Sequence, residues 1–407
     1  MRPERLLSGP MAILLSDAGH WKHLLPLTFT RPVGALRPGI LTIAEAWERR
    51  TGMPVGFNTQ EYLRPKFHGV KADIIREVDA TLLPTPEFVA AVLEMEVGEA
   101  LTHRGRSLAF CRAGIEPLEP DAWEALTTIW KAKVFPGELI SFDRPWRLFQ
   151  HCGRAILNDF ALLTKDRQSQ PLHASNTVIG DPTLIFLEPG AMVYASTLNT
   201  NAGPIYIGQD AEVMEGCMLR GPIALGQHAQ IKMGAKIYGP SAFGPECRIG
   251  GEVNNSVMLG YSNKGHDGFL GNSVLGEWCN LGADTNNSNL KNTYGQVKAW
   301  SYVEENMIST GLQFCGLIMG DHSKSGINTM FNTGTVVGVC SNIFGSGFPP
   351  KRIASFAWGG AEGFDVHEFE RALETCHRVM DRRGVEFTHA DEEILKEVFN
   401  RDNAEES

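Results

Sequence analysis

The chain has 407 residues, 43% hydrophobic and 21% charged, a globular composition long enough for two or three domains. A net charge of −10 with no Lys/Arg-rich run argues against a nucleic-acid partner. The longest early apolar run, Met11 to Leu15, is too short for a signal sequence or a membrane span. The eight cysteines lack paired spacing, so the expectation is a cytoplasmic protein with reduced thiols and no membrane partner.

Residues 1–165 mix short apolar runs, Ala12 to Leu15 and Asp73 to Ile75, with helical stretches. One predicted helix spans 42–50. A second spans 85–93, where Thr85 can cap and Pro86-Glu87 fills the first turn. Strands alternating with helices predict an α/β domain. A helix around 157–165 joins it to the remainder of the chain.

From Ile207 a residue able to point into a core recurs every six positions: Val213, Leu219, Leu225, Ile231, Ile237, Phe243 and Ile249. Four places after each stands another inward candidate, compact in most steps: Ala211, Cys217, Ile223, Ala229, Ala235, Ser241, Cys247 and Val253. A helical turn drifts out of this register within two steps, and a hairpin sheet repeats every two residues. A period of six fits a prismatic β-helix, in which six residues make one flat face and a corner, and three faces make a coil. The rhythm begins near Asn176 and spans 176–348, with a slip at 199–204. It breaks at 254–270, resumes at Leu275 and Leu281, and breaks again at 286–313. It returns at Met319, Ser325, Phe331, Val337 and Ile343. Such breaks read as insertions that leave the coil on one side and carry binding groups. The two large ones flank a rhythmic pair of steps, so they are expected close together.

The tail, 363–407, is helical. Val366, Phe369, Leu373, Cys376 and Met380 trace one face and Gly384 ends it. Thr388 with Asp391 resembles a capping box before Ile394, Leu395, Val398 and Phe399. The tail is expected to cover the open end of the solenoid.

Between the breaks lie two segments that carry chemistry: His266-Asp267-Gly268-Phe269-Leu270-Gly271-Asn272 and Cys279-Asn280-Leu281-Gly282-Ala283-Asp284-Thr285. They resemble the acetyltransferase half of the bifunctional enzymes that acetylate glucosamine-1-phosphate and then uridylylate the product. That family carries His-x-x-aromatic-Leu/Val-Gly-Asp/Asn, a hexapeptide step, then Asn-hydrophobic-Gly-Ala-Gly-Thr. Gly320-Asp321-His322-Ser323-Lys324-Ser325-Gly326-Ile327-Asn328 is similar to a stretch of its archaeal members. The resemblance covers roughly 176–348 and implies a left-handed parallel β-helix, acetyl-CoA as co-substrate and a role in making a cell-wall precursor sugar nucleotide. It also implies a homotrimer, and flat solenoid faces with one-sided loops suit three-fold closure.

Acyl transfer to an amine needs a base, a donor for the carbonyl oxygen and cations for an anionic substrate. The resemblance implies His266 as base and Asn280 as a sugar contact, with Asn289 a weaker match. Phe269 replaces a family tyrosine. The family's phosphate-binding cations do not carry over cleanly. Lys236 lies near the place of one, and the loop cations Lys264, Lys291 and Lys298 can substitute. The pantetheine arm would pass Ala283. Plain structural readings stand beside these: a stacked corner asparagine, solvated lysines and a compact corner alanine.

The opening Leu25-Pro26-Leu27-Thr28-Phe29-Thr30-Arg31-Pro32, with Arg37-Pro38-Gly39-Ile40 after it, resembles alternate, mainly Bacteroidetes-type forms of the same bifunctional enzyme. Residues 1–165 would then be a nucleotidyltransferase-like domain, with Arg31, Arg37 and Lys22 as phosphate contacts and Asp79 as a Mg2+ ligand. The usual Gly-x-Gly-Thr-Arg loop is missing; Ser16-Asp17-Ala18-Gly19-His20 stands there with one glycine. Two readings result. One is a sugar-phosphate acyltransferase with linked uridylyl transfer. The other is a β-helical sugar-nucleotide-binding scaffold or regulator whose N-terminal half is not catalytic.

Overall fold

The structure, a computed structural model, describes residues 10–114, 123 and 130–403. The remaining parts of the expected N-terminal domain and tail lie outside the described residues. The chain divides into two units. Unit 1 takes Met1–Lys22, Arg31–Leu36 and Leu41–Asp143; unit 2 takes His23–Thr30, Arg37–Ile40 and Arg144–Ser407.

Among the described residues, unit 1 is built on six strands: β1 (Met11–Ser16), β2 (Val55–Asn58), β3 (Ile74–Asp79), β4 (Glu99–His103), β5 (Arg106–Ala113) and β6 (Lys131–Val134). They lie in the order β2-β1-β3-β5-β4-β6. β1 runs parallel to both neighbours, and Ser16 pairs with Asp79, so the carboxyl ends of β1 and β3 open side by side. The expected helices are present. α1 (Ile43–Thr51) starts at a Thr42–Glu45 capping box and stops at Gly52 in the left-handed region. α2 (Pro86–Leu93) is capped by Thr85.

Unit 2 opens with α3 (Pro145–Thr164), which begins a dozen residues before the expected 157 because Pro145 at its first position suits a helix start. Its buried face, Trp146, Phe149, Cys152 and Ile156, shows why. A Cβ on Gly39 would fall 2.6 Å from the Asp159 carboxylate, so only glycine lets the Arg37–Ile40 segment lie this close to α3.

Beyond α3 the chain coils into three parallel sheets. On one face Leu198, Leu219, Ile237, Val253 and Leu270 stack in register. On the next, Ile207, Leu225, Phe243, Met258, Leu275 and Met319 do the same. These residues and the compact set, Ala211, Cys217, Ala229, Ala235 and Cys247 among it, are buried in the core. Each large aliphatic side chain so buried contributes about 1.5–3 kcal/mol. The three-sided prism of short parallel strands is that of a left-handed parallel β-helix. The cysteines are free and buried, as expected of small core residues.

The break at 254–270 has a different nature from the one expected. Strand pairing continues through it, but Phe243 pairs with Met258 and Ile249 with Lys264, fifteen positions on rather than eighteen. The rhythm fails because a coil is short, not because a loop leaves it. The break at 286–313 is a true excursion: Leu275 next pairs with Met319, and a hairpin of Lys298–Ser301 with Asn306–Ser309 lies between.

One edge of the prism is a column of left-handed residues. Asp210, His228, Glu246, Tyr261, Trp278, His322, Cys340 and Phe356 all have φ between 54° and 62°. The tail does not stop at the open end of the solenoid, as expected, but runs back along this column. Val366 belongs to a hairpin strand, Gly363–Val366, and α4 (Phe369–Asp381) follows. Cys376 Sγ lies 3.8 Å from Cys340 Sγ, and Arg383 reaches Glu246 and Asn263. α4 takes this path because its apolar face, Ala372, Leu373, Cys376 and Met380, is buried along it. α5 (His389–Asn403) starts at the expected Thr388–Asp391 box and packs Phe399 against Phe356.

Candidate functional site

His266 is exposed in the turn Gly265–Gly268 that ends the short coil. A residue expected at the surface holds that turn. Lys264 pairs across from Ile249 at an inward-facing rung and is 1% exposed. Its Nζ donates to the carbonyls of Gly250 (3.1 Å), His266 (2.5 Å) and Asp267 (3.2 Å), filling all three ammonium positions. Burial pulls its pKa down to about 8, against the opposing pull of Asp267 and Asp284. Lys264 is thus a buried pin beneath His266 rather than a loop cation. A Cβ on Gly250 would sit 2.4 Å from the Gly265 carbonyl, so that position must be glycine for the turn to close down.

One coil on, Asn280 is exposed beside Asn263, whose Nδ2 lies 3.4 Å from Asn280 Oδ1. His266 and Asn280 line a cleft of about 590 Å³. Five cations share that cleft: Lys232, Arg248, Lys324, Arg382 and Arg383. Tyr261 and Trp278 form its aromatic wall, stacked at 4.2 Å with His322 continuing the column. Arg248 is fixed by its Nη1 donating to the carbonyl of His228 at 2.8 Å. Arg248 and Arg383 both donate to Glu246 Oε2 at 3.1 Å, and Arg383 also donates to Asn263 Oδ1 at 3.2 Å.

Phe269, Asn289, Lys236, Lys291 and Ala283 are not among the cleft residues. Phe269 and Asn289 flank Gly271 on another face, and Asn289 Nδ2 donates to Asn272 Oδ1 at 2.8 Å. Lys236 is an exposed strand residue. Lys291 Nζ donates to the Gln296 carbonyl, and Lys298 lies on the hairpin. The Ala283 carbonyl accepts from the Asn328 amide in the next coil. Sequence reasoning missed Lys232, Arg248, Arg382, Arg383 and the aromatic wall. The first two flank inward rungs, Ile231 and Ile249, where an outward cation carries no pattern of its own.

In unit 1 the open ends of β1 and β3 gather a second polar cluster. Asp17 is fully buried, accepts from the Val33 amide at 2.9 Å and from Thr59 Oγ1 at 2.6 Å, and burial raises its pKa to about 7. Asp79 accepts from the amide and hydroxyl of Thr81 through one oxygen and from Arg106 through the other, with His20 Nε2 3.6 Å away. As placed, Asp79 offers no carboxylate oxygen to Mg2+. Among the described residues no group of three or more His, Cys, Asp or Glu is gathered as for a metal ion. Both oxygens of Asp79 are thus engaged within the protein, and no step is routed through a metal. Lys22 is exposed and Arg31 is buried in this unit. Arg37 belongs to unit 2, where its Nη1 donates to the Ile40 carbonyl at 2.5 Å. The signature around Pro26 also divides. Its Thr30 belongs to unit 2 and donates to Asp321 Oδ2 at 2.7 Å.

Residues 12–168 match the sugar nucleotidyl transferase family. The matched stretch of this sugar nucleotidyl transferase-like region contains the sheet of unit 1, its Asp17–Asp79 cluster and α3. No curated protein matches the chain. Among solved structures, the polySia-specific acetyltransferase NeuO is 12% identical over 48% of this chain and 87% of its own, with a TM-score of 0.27. An Arabidopsis UDP-N-acetylglucosamine acyltransferase is 13% identical over 58% and 91%, with a TM-score of 0.22. A perosamine N-acetyltransferase from Caulobacter crescentus, solved with CoA and GDP-perosamine, is 14% identical over 83% and 93%, with a TM-score of 0.14. At these scores the likenesses carry no argument. Among the described residues no helix is long and apolar enough to cross a membrane.

Proposed function

We propose that the β-helix is an acyltransferase that moves the acetyl group of acetyl-CoA to the amine of glucosamine-1-phosphate, and that unit 1 serves the linked transfer of a uridylyl group. The observation that carries the reading is the shared cleft: an exposed histidine, a neighbouring asparagine and five cations. Imidazole is the side chain suited to moving a proton near neutral pH. In the proposed step the amine nitrogen bonds to the thioester carbonyl carbon while its proton passes to His266. The carbon–sulfur bond then breaks, and the CoA sulfur leaves with that proton. Asn280 positions the sugar. A homotrimer completes the reading, and a monomer by light scattering at micromolar concentration removes it.

The nucleotidyl half rests on the family match over 12–168 and on the polar cluster where two parallel strands end, the usual place for a ligand in an open α/β sheet. For Asp79 to ligate Mg2+, Arg106 must first release it. That closed pair favours the second reading, in which unit 1 binds without catalysing. One assay separates the two. Protein is given acetyl-CoA, glucosamine-1-phosphate, UTP and Mg2+, and free thiol and pyrophosphate are followed independently. Sugar-dependent thiol release supports the acyltransferase, and its absence removes it. Pyrophosphate release that Arg31→Ala abolishes, with thiol release intact, supports the nucleotidyl half; no release leaves that half a binding domain.

A further inference from the structure

Resting on the acyltransferase reading, which names no phosphate-binding side chains, we propose that Arg248 and Arg383, with Lys232 and Arg382 beside them, form a phosphate-binding site in which the segment that ends α4 supplies half the charge. The geometry is that of an anion site. Two guanidinium groups converge on one carboxylate oxygen, Glu246 Oε2, each at 3.1 Å. No carboxylate is among the cleft-lining residues, whereas five cations are. One charge therefore balances two at the point of convergence, and Lys232 adds a third cation nearby. Burial first, and then Arg248, lowers the pKa of both Lys232 and Arg383, with Glu212 and Glu246 pulling the other way. Such an arrangement costs free energy until an anion enters.

The backbone fixes these groups before any ligand arrives. Arg248 is held by the carbonyls of His228 and Glu246. Arg383 follows the last turn of α4, where Gly384 at φ 67° lets the chain reverse and its amide bond back to Asp381. A planar fork of donors suits phosphate oxygens better than a flexible ammonium does. Arg383 also touches Asn263, which neighbours Asn280, so a phosphate here is linked through two side chains to the expected sugar contact. A sugar phosphate and the phosphates of CoA present the same chemistry, so the ligand class is a phosphate monoester or diphosphate.

The test is calorimetric titration of the full chain with inorganic pyrophosphate, which needs no acyl transfer. Arg383→Gln should weaken binding about tenfold, the worth of one charge-assisted contact. Glu246→Gln should tighten it about threefold, because the competing carboxylate is gone. A merely structural role for the trio predicts the opposite sign for Glu246→Gln, and that result, or no binding of pyrophosphate to the wild type, overturns the site. Displacement by glucosamine-1-phosphate places the acceptor there. Displacement by CoA but far less by dephospho-CoA places the donor there. Displacement by neither overturns the link to acyl transfer. Pyrophosphate binding that responds as stated in a protein with no acyl transfer keeps the site and removes the reading it rests on.

Discussion

The two polar clusters of this protein solve opposite electrostatic problems. In unit 1, Asp17 and Asp79 are buried at the ends of adjacent strands, and hydroxyls, two backbone amides and Arg106 satisfy them. In the β-helix, cations crowd an open cleft around one carboxylate. The first cluster is satisfied from within, and the second holds cations in excess. A buried, satisfied group contributes to folding, whereas an exposed surplus of one sign contributes to recognition.

The sharpest test of that contrast is His266→Ala. It should lower acyl transfer by about two to four orders of magnitude, the range for a general base, with the thermal midpoint unchanged because the side chain is exposed. Near-normal turnover at neutral pH would place the base elsewhere. Next in size is Asp17→Asn, which keeps both contacts, since the amide can accept from Val33 and donate to Thr59. The folded pKa of about 7 lies above the unfolded 3.8, so the native state holds the proton longer and stability falls as pH rises through that window. The variant should gain as much as about 4 kcal/mol over wild type at pH 8 and nothing near pH 4 in denaturant titrations. A pH-independent difference would mean that Asp17 is ionised and paired throughout.

Lys264→Met should cost about 3 kcal/mol, since three carbonyls lose their donor, and acyl transfer should fall with it because the His266 turn loosens. Its pH signature is opposite to that of Asp17. The folded pKa of about 8 lies below the unfolded 10.5, so wild-type stability rises between those values and its margin over the methionine variant widens. A melting curve for Lys264→Met that matches wild type would show the pin to be idle. The smallest effect is that of Thr388→Ala, about 1 kcal/mol from losing the cap of α5. Because α5 is not part of the cleft, acyl transfer should be unaffected.

Much of this architecture is legible in the amino-acid order. The six-step rhythm names the inward residues from Ile207 to Ile249 because burial on a prism edge leaves a periodic trace. The caps at Thr42, Thr85 and Thr388 are legible for the same local reason. Lys264 is not, because a lysine at an inward rung reads as a loop residue until the coil is known to be short. Arg382 and Arg383 are invisible as site residues because they lie more than a hundred positions from His266, and an amphipathic tail predicts burial without saying along which edge. Asp79 is a metal ligand only by what the resemblance implies. Its partner Arg106 comes from an antiparallel neighbour strand, which no local pattern reveals.

The short coil has a consequence for descent. A coil of fifteen positions cannot arise from one of eighteen by substitution; residues have to be deleted. The missing positions lie between Ile249 and Met258, upstream of the histidine turn, which keeps its full step from Lys264 to Leu270. A relative that keeps a histidine in a coil of full length presents it from a different height on the prism, while one that shares the gap has the same platform whatever residue stands on it. Ancestry of this site is read from where the rhythm loses its three beats.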